Sequence, residues 1–540
     1  MDLILINGKI VTMDDSNPCV QAVAVDGGKI VKIGNNKEII NLKCADTRII
    51  DLEGKLVLPG FNDSHMHLLS YGANLYTCDL SGTESIEGLI HKMKDYLESG
   101  VFKAGQWIHG QGWNHDYFAE GRFPTRYDLD RISTEYPICI ARACTHVSVV
   151  NSKALETAGI TKDTSQVDGG HFDLDENGEP LGIFRENALS LIYNKIPELD
   201  KDTIKNLIKK AAEVALKEGI TSIQTDDFGM LPSGDYTKII NAYKELSRAG
   251  ELPLRINQQC LLPDINILKS FLNEGYRTGM GTEFYRIGPL KLLADGSLGA
   301  RTAYLTESYK DDPSTKGIPV YSQAELDELV VSAHDKSMQI AIHSIGDASM
   351  YMAFESIEKA LNENSREDHR HAIVHCQITD KTLLNKFKSL DVVALIQPIF
   401  IKYDLHMAES RVGYEKAKTS YNFRTLFDMG VNIACGSDCP VEPFNVLHGI
   451  YCAVTRKDLK GYPEDGWFKE QSLSVEQAVY GYTIGAAYAS FEENIKGSIT
   501  PGKLGDFVVL SRDIFTMNLD EIKDAEVLMT FVGGKLAYKK

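Results

Sequence analysis

The feature that most constrains the fold is a regular alternation of apolar, strand-like runs with amphipathic, helix-like stretches. "GITSIQTDD" follows "IKNLIKKAAEVALKE", and "QIAIHSIGD" follows "ELDELVVSAHDKS". The series continues through "HAIVHCQ", "VVALIQP" and "VNIACGSDCPV", with helix-like segments between them. Strands that alternate with helices indicate βαβ units and a parallel sheet. Because the alternation continues over several hundred residues, we predict an α/β fold of the (β/α)8 TIM-barrel type.

Both ends of the chain carry a different pattern, in which short strands alternate with tight turns. The beginning contains "LILINGKIVTM" and "CVQAVAVDGGKIVKIG", whose NG and DGG turns are typical of hairpins. The end contains "GDFVVLSRD" and "VLMTFVGGKLAYKK". We therefore predict that residues 1–58 and 487–540 meet in one small sheet domain, and that residues 59–486 form the barrel.

One spacing is too long for a plain barrel. The chain between His67 and Lys291 is about twice as long as the roughly 100 residues that three βα units of a barrel require. This stretch contains "GQGWNHDYFAEGRFPTRYDLD" and "GGHFDLDENGEPLGIFRENA", which are rich in glycine, aromatic residues and turns. We therefore predict an inserted region at about 70–200, after the first barrel strand.

Charge and cysteine content exclude several functions. The chain has 57 Lys and Arg against 75 Asp and Glu, a net charge of −18. A surface this acidic repels phosphate backbones and anionic lipids, so we expect neither a nucleic-acid nor a membrane partner. The start of the chain lacks the pattern of a signal peptide, and the ten cysteines contain no CxxC pair. These features predict reduced thiols and a cytoplasmic protein.

Two histidines stand one residue apart where the first barrel strand should end, in "LPGFNDSHMHLL". Side chains at positions i and i+2 of a strand share a face, so His65 and His67 point together. His343, His375 and Asp438 end three later strands, at the C-terminal face that carries the active site of a barrel. Neutral imidazole and carboxylate bind zinc and other divalent transition metals. The sequence therefore predicts a metal site at this face.

Motifs along nearly the whole chain resemble one family. They are "PGFNDSHMH", "GITSIQTDD", "KLLADGSLGARTA", "IHSIGD", "VHCQ", "GSDCPVEPFN" and "GSITPGKLGDFVVLS". In this ordered set the chain resembles the metal-dependent amidohydrolase superfamily, in the branch that includes N-substituted formamide deformylase-like enzymes. The resemblance implies a (β/α)8 barrel with a small β-sandwich built from both termini.

The same resemblance implies a set of metal ligands. His65, His67 and Asp438 would hold one metal, and His343 and His375 would face a second position. Lys291, in "GPLKLLADG", falls where binuclear relatives carry a carbamylated lysine that bridges two metals. The alternative for this lysine is an ion pair with Asp295, further along the same strand. The expected cofactor is a divalent metal, Zn²⁺, and the sequence leaves open whether one or two ions bind.

The expected reaction is hydrolysis of an amide or other C–N bond of a small-molecule substrate by metal-activated water. Asp438 would act as general base and then as general acid. If one metal binds, His343 or His375 would stabilise the oxyanion. The alternatives are the same site acting on a lactone or phosphoester, or in isomerisation. A non-catalytic assembly protein would lack ligands that are present here, and a homodimer is left open.

Four further residues are candidates for substrate binding. Arg301 lies in "DGSLGARTA" and could attract a carboxylate or carbonyl oxygen, although a turn with a surface arginine also fits. Trp113 could form a pocket wall or pack in a core. His146 resembles a family position near the active site, with an ordinary buried histidine as the alternative. Asp295, close after Lys291, completes the set.

Overall fold

The computed structural model describes residues 1–100, 102–103, 105–143, 146–167, 169–231 and 233–540. It divides into two compact units, one formed by Met1–Ser70 with Lys201–Lys540 and the other by Tyr71–Asp200. The sequence predicted an inserted region at about 70–200, and the domain boundaries given above remain predictions. Among the described residues, no helix is both long and apolar enough to cross a membrane.

Eight parallel strands form one sheet, in which each strand pairs with its neighbours in chain order. In that order, from first to eighth, they are Phe61–Met66, Ile220–Asp226, Arg255–Leu261, Tyr285–Leu293, Ile340–Ser344, Ala372–His375, Val393–Ile396 and Ile433–Cys435. The chain after the eighth strand returns to the first, because Asp438 N–H donates to His65 O at 2.7 Å and His67 N–H donates to Cys439 O at 2.7 Å. The sheet is thereby nearly closed, and the predicted (β/α)8 barrel is confirmed.

Helices connect the barrel strands. Local sequence sets their ends, as in the helix from Gln323, where Ser322 and Glu325 form a reciprocal capping box. The helices of the larger unit are Asn36–Ile40, Lys201–Lys217, Tyr236–Ala249, Ile265–Asn273, Gln323–His334, Asp347–Glu363, Lys381–Ser389, Ile401–Asp404, Ala408–Val412, Tyr414–Ala417, Phe423–Asp428, Val446–Thr455, Val475–Tyr480 and Ala486–Ala489. Leu68–Asn74 spans the sequence boundary between the units.

Shorter turns complete the helical elements. They are the 3-10 turns His115–Tyr117, Asn187–Leu189, Phe228–Met230, Pro398–Phe400, Lys469–Gln471 and Leu519–Asp524, and a π-helical turn at Gly481–Gly485. The helical turn that follows, Ala486–Ala489, packs on small apolar residues of the fifth to eighth strands. Its carbonyls accept from buried amides, Ala486 O from Gln224 at 2.8 Å and Ala489 O from Gln339 at 2.8 Å. These bonds satisfy helix C-terminal carbonyls that would otherwise be buried without partners.

Two further sheets of the larger unit contain strands from the ends of the chain. One consists of Leu3–Ile6, Ala22–Asp26, Lys29–Gly34 and Arg48–Asp51. The other consists of Lys9–Val11, Cys19–Val20, Leu56–Pro59, Phe507–Leu510, Val527–Val532 and Lys535–Lys539. In the second sheet Phe507 pairs antiparallel with Pro59, so the two termini share one ladder. Buried residues of both sheets, among them Leu3, Val23 and Phe531, belong to one hydrophobic cluster.

The smaller unit contains one mixed six-stranded sheet. Its strands are Thr77–Asp79, Ile108–Trp113, Ile138–Arg142, Val147–Val150, Gly170–Leu174 and Pro180–Glu186. Its helices are Ile86–Ser99, Arg126–Asp130, Ser152–Ala158 and Ser190–Tyr193. Two clusters of buried apolar side chains lie within this unit, so it has a core of its own.

Candidate metal centre

His65 and His67 lie at the end of the first barrel strand, and a carbonyl oxygen orients each ring. Nδ1 of His65 is 2.7 Å from Gln259 Oε1, and Nδ1 of His67 is 2.8 Å from Asp226 O. A carbonyl oxygen only accepts hydrogen bonds, so Nδ1 carries the proton in both rings. Each Nε2 is therefore left with a lone pair that is available to a ligand.

Asp438 follows the eighth strand and faces both rings. Its Oδ1 lies 3.3 Å from Nε2 of His65 and 3.1 Å from Nε2 of His67. Close backbone approach brings it there, because a Cβ on Gly436 would lie 2.7 Å from His65 N. Asp438 itself adopts the left-handed region, with φ at 60°. Sparsely populated backbone conformations of this kind cluster at functional sites.

The chemistry of this donor set fits a divalent metal. One ligand atom from each of His65, His67 and Asp438 lies within 4.8 Å of the other two. Three electron-rich atoms at this separation repel one another unless a cation or a proton lies among them. Imidazole nitrogen and carboxylate oxygen are the ligands that zinc prefers together with thiolate.

The pKa values of the three groups follow from burial and mutual contact. Burial, and then Lys291, lower the pKa of His65 to about 3. Burial opposes charge on His67, but its bond to Asp438 and the nearby Asp226 outweigh burial and raise its pKa to about 9. Burial likewise opposes charge on Asp438, yet its bonds to the two histidines hold its pKa well below the usual range. The site therefore favours positive charge opposite the Asp438 carboxylate.

Lys291 projects from the fourth strand and is completely buried. Its Nζ lies 3.2 Å from Nε2 of His65. Burial lowers the pKa of Lys291, although Asp226 and Asp438 oppose that shift. Asp295 accepts hydrogen bonds from the N–H groups of Tyr304, Ile345 and Gly346, at 2.8, 3.1 and 2.8 Å. Asp295 therefore anchors main chain after the fourth and fifth strands.

His343 and His375 stand side by side at the ends of the fifth and sixth strands. Their ring centroids are 4.4 Å apart, and the ring of His375 lies 5.7 Å from that of His65. Nε2 of His343 is 3.0 Å from Gly296 O, which leaves its Nδ1 lone pair free. Nδ1 of His375 is 2.9 Å from Gln397 Oε1, which leaves its Nε2 lone pair free. The structure thus brings together the six residues that the sequence nominated as metal ligands.

Sequence reasoning missed four residues around these ligands: Asp63, Asp226, Gln259 and Gln397. Asp63 accepts from the N–H groups of His65 and Ser437, at 3.1 and 3.0 Å, and burial raises its pKa to about 7. Asp226 ends the second strand with one carboxylate oxygen buried and unpaired. The polar run "NQQ" within the apolar third strand is the signal that could have drawn attention to Gln259.

The weaker candidates lie in varied surroundings. Trp113 is fully buried in the core of the smaller unit, which favours the packing alternative. His146 is exposed, and its Nδ1 lies 2.9 Å from Glu186 Oε2. The Arg301 guanidinium donates to both oxygens of Asp311 at 3.1 and 2.9 Å, so this arginine already has a carboxylate partner.

A solved structure of a metal-dependent hydrolase from Pyrococcus furiosus, otherwise uncharacterised, is similar over nearly the whole chain. It is 30% identical with a TM-score of 0.78, and the alignment covers 95% of this chain and 100% of that one. A zinc complex of the triazine hydrolase TrzN from Arthrobacter aurescens TC1 is 14% identical with a TM-score of 0.56, over 99% of this chain and 94% of that one, and shares the fold alone.

The barrel, the His-His-Asp cluster and the Pyrococcus structure define a metal-dependent hydrolase that acts on small molecules. The chain belongs to the amidohydrolase family, whose model matches residues 48–538, and so to hydrolases of carbon–nitrogen bonds. YtcJ of Bacillus subtilis (strain 168) is 32% identical over 99% of this chain and 98% of its own. The N-substituted formamide deformylase of Arthrobacter pascens is 25% identical over 100% of this chain and 98% of its own.

Proposed function

We propose that this protein hydrolyses the C–N bond of a small amide with water, at a zinc site formed by His65, His67 and Asp438. The observation that carries the proposal is the convergence of two imidazole Nε2 atoms on one carboxylate oxygen, at 3.3 and 3.1 Å. Both Nδ1 protons are committed to carbonyl oxygens, so the Nε2 lone pairs are available to a metal.

Zinc bound here would supply Lewis-acid chemistry, which lowers the pKa of water toward about 7 and polarises a carbonyl oxygen. Asp438 would accept a proton from the attacking water as a new C–O bond forms. It would then return that proton to the leaving nitrogen as the C–N bond breaks. A carboxylic acid and an amine are the products. No other residue within reach of His65 and His67 offers a carboxylate to both rings in the described contacts.

A second position would lie between His343, His375 and Lys291. We propose that Lys291 is carbamylated there and bridges two zinc ions, as the family resemblance implies. A carbamate, unlike an ammonium group, offers oxygen ligands. If one ion binds instead, His343 or His375 would donate a hydrogen bond to the developing oxyanion.

The substrate proposed first is a neutral N-substituted amide. One relative, the deformylase of Arthrobacter pascens, acts on N-substituted formamides by its name. The pairing of Arg301 with Asp311 also supports a neutral substrate, because the charge of that arginine is already compensated. Lactones and phosphoesters belong in the same screen, since the metal chemistry alone does not exclude them.

Metal content and amide hydrolysis, measured together, test the proposal. Zinc per chain is determined by elemental analysis in the wild type, Asp438→Asn and Lys291→Ala, with Asp428→Asn as a matched control on the surface. We expect two equivalents in the wild type, fewer in Lys291→Ala, and loss of hydrolysis in Asp438→Asn. One equivalent that survives Lys291→Ala would reject the bridging carbamate. Full hydrolysis by zinc-free protein would reject the proposed function.

A further inference from the structure

Two histidines of the metal centre are held by glutamine side chains rather than by main-chain carbonyls. Oε1 of Gln259, on the third strand, lies 2.7 Å from Nδ1 of His65. Oε1 of Gln397, directly after the seventh strand, lies 2.9 Å from Nδ1 of His375. Both amides are completely buried, so water cannot replace either contact. The two contacts flank histidines whose ring centroids are 5.7 Å apart.

The far end of each amide is bonded as well. Nε2 of Gln259 donates to Ser64 O at 3.0 Å, and Nε2 of Gln397 donates to Leu395 O at 3.4 Å. An amide that turned over would place two NH₂ hydrogens against a ring N–H and two carbonyl oxygens against each other. The bonds therefore keep Oε1 on the histidine, the proton on Nδ1, and the lone pair on Nε2.

We propose that Gln259 and Gln397 are positioning residues of the metal centre, which fix the ring and the tautomer of His65 and His375. This inference rests on the proposed metal site. A neutral amide suits the role, because Asp63, Asp226 and Asp438 already place three buried carboxyl groups around the centre. A further carboxylate would add another buried charge, whereas an amide offers an acceptor without one.

Zinc affinity of the full-length protein tests the role. Gln259→Leu and Gln397→Leu, made separately, are titrated against a chromogenic chelator at fixed pH. We expect zinc binding to weaken about 10- to 100-fold in each variant, the usual effect of losing an outer partner of a ligating histidine. Gln259→Glu keeps an acceptor for His65 and, when protonated, a donor for Ser64 O, so we expect it to recover most of the affinity.

Gln224→Leu is the matched control. This buried glutamine of the second strand donates to Ala486 O and supports a helix end, so its loss should lower the melting temperature and leave zinc affinity unchanged. Wild-type affinity in both leucine variants would overturn the inference, as would a glutamate variant that binds as weakly as its leucine counterpart. If the wild type itself binds no zinc, the proposed function fails, and this inference fails with it.

Discussion

The main-chain N–H of Asp438 donates a 2.7 Å hydrogen bond to the carbonyl oxygen of His65. This bond joins the residue after the last barrel strand to the first strand, so the backbone that nearly closes the barrel also sets the spacing of two proposed ligands. The same seam depends on Gly436, where a side chain would meet the backbone of His65 and the carboxylate of Asp63.

Gly436→Ala should therefore destabilise the seam. The added Cβ would lie 2.7 Å from His65 N and 2.8 Å from Asp63 Oδ1, so main chain must move. We expect a loss of about 1–3 kcal/mol in unfolding free energy, with weaker zinc binding. Denaturant unfolding and zinc titration measure the two effects. Gly88→Ala, in an exposed helix position, is the control and should be neutral or slightly stabilising. Unchanged zinc affinity in Gly436→Ala would contradict the prediction.

The Arg255–Asp506 pair links the third barrel strand to the C-terminal segment. Arg255 Nε and Nη2 donate to the two oxygens of Asp506 at 2.7 and 3.0 Å, and both side chains are buried. Asp506→Asn would leave a buried guanidinium uncompensated, so we expect a loss of about 3–5 kcal/mol.

Chemical denaturation measures this loss, and Asp428→Asn provides the comparison. Asp428 pairs with Arg424 on an exposed surface, where a loss of about 0–1 kcal/mol is expected. Equal effects of the two substitutions would contradict a structural role for the buried pair.

Three buried hydrogen bonds require His334 and His371 to be neutral. Ile340 N–H donates to Nδ1 of His371, whose Nε2 therefore carries the proton and donates to Nδ1 of His334 at 2.8 Å. His334 in turn donates from Nε2 to Asn364 O at 2.7 Å. Burial holds the pKa of His371 well below its model value of 6.5. Because the folded pKa is depressed, the unfolded chain binds more protons as pH falls below about 6.5, and stability is lost in that direction.

His371→Gln should reduce this acid sensitivity. A glutamine can accept from Ile340 N–H and donate to His334, but it does not titrate. We expect the slope of unfolding free energy against pH, between about pH 5 and 6.5, to fall by up to about 1.4 kcal/mol per pH unit. Denaturation at several pH values measures the slope. An unchanged slope would show that His371 does not contribute to it.

Asp404 should act in the opposite direction. Burial raises its pKa from 3.8 to about 6, although Tyr421 and Gln377 donate hydrogen bonds to it. A raised folded pKa means that the stabilising share of Asp404 is complete below about pH 4 and is lost as pH rises through 6. Asp404→Asn should remove up to about 3 kcal/mol of this pH dependence. The difference between wild-type and variant unfolding free energies, measured from pH 4 to 7, should change with pH. A constant difference would contradict the prediction.

The barrel and its six clustered side chains could be predicted because both follow from periodicity. Parallel strands end at one edge, so polar residues that close apolar runs, such as His343 and His375, must lie near one another. The pairing of Gln259 with His65 could not be predicted in the same way. It depends on which side chain of a neighbouring strand lies opposite the ring, and a single amide in a strand carries no signal over 194 residues.

The surroundings of Arg301 and Trp113 could not be predicted for a related reason. Whether an arginine is free for substrate depends on which loop residue reaches it, and here Asp311 does. Whether a tryptophan lines a pocket or fills a core depends on the packing of the surrounding elements, here those of the smaller unit. Residue type and local pattern were the same in either case.

The proposed ligands come from opposite ends of the barrel sequence, since 371 residues separate His67 from Asp438. During synthesis, a growing chain carries His65 and His67 long before residue 438 has left the ribosome. The complete set of ligands is therefore assembled only when most of the polypeptide has emerged and the last strand has docked. We expect zinc to be captured late in biogenesis, and, once captured, to act as a clasp that resists separation of the first strand from the last.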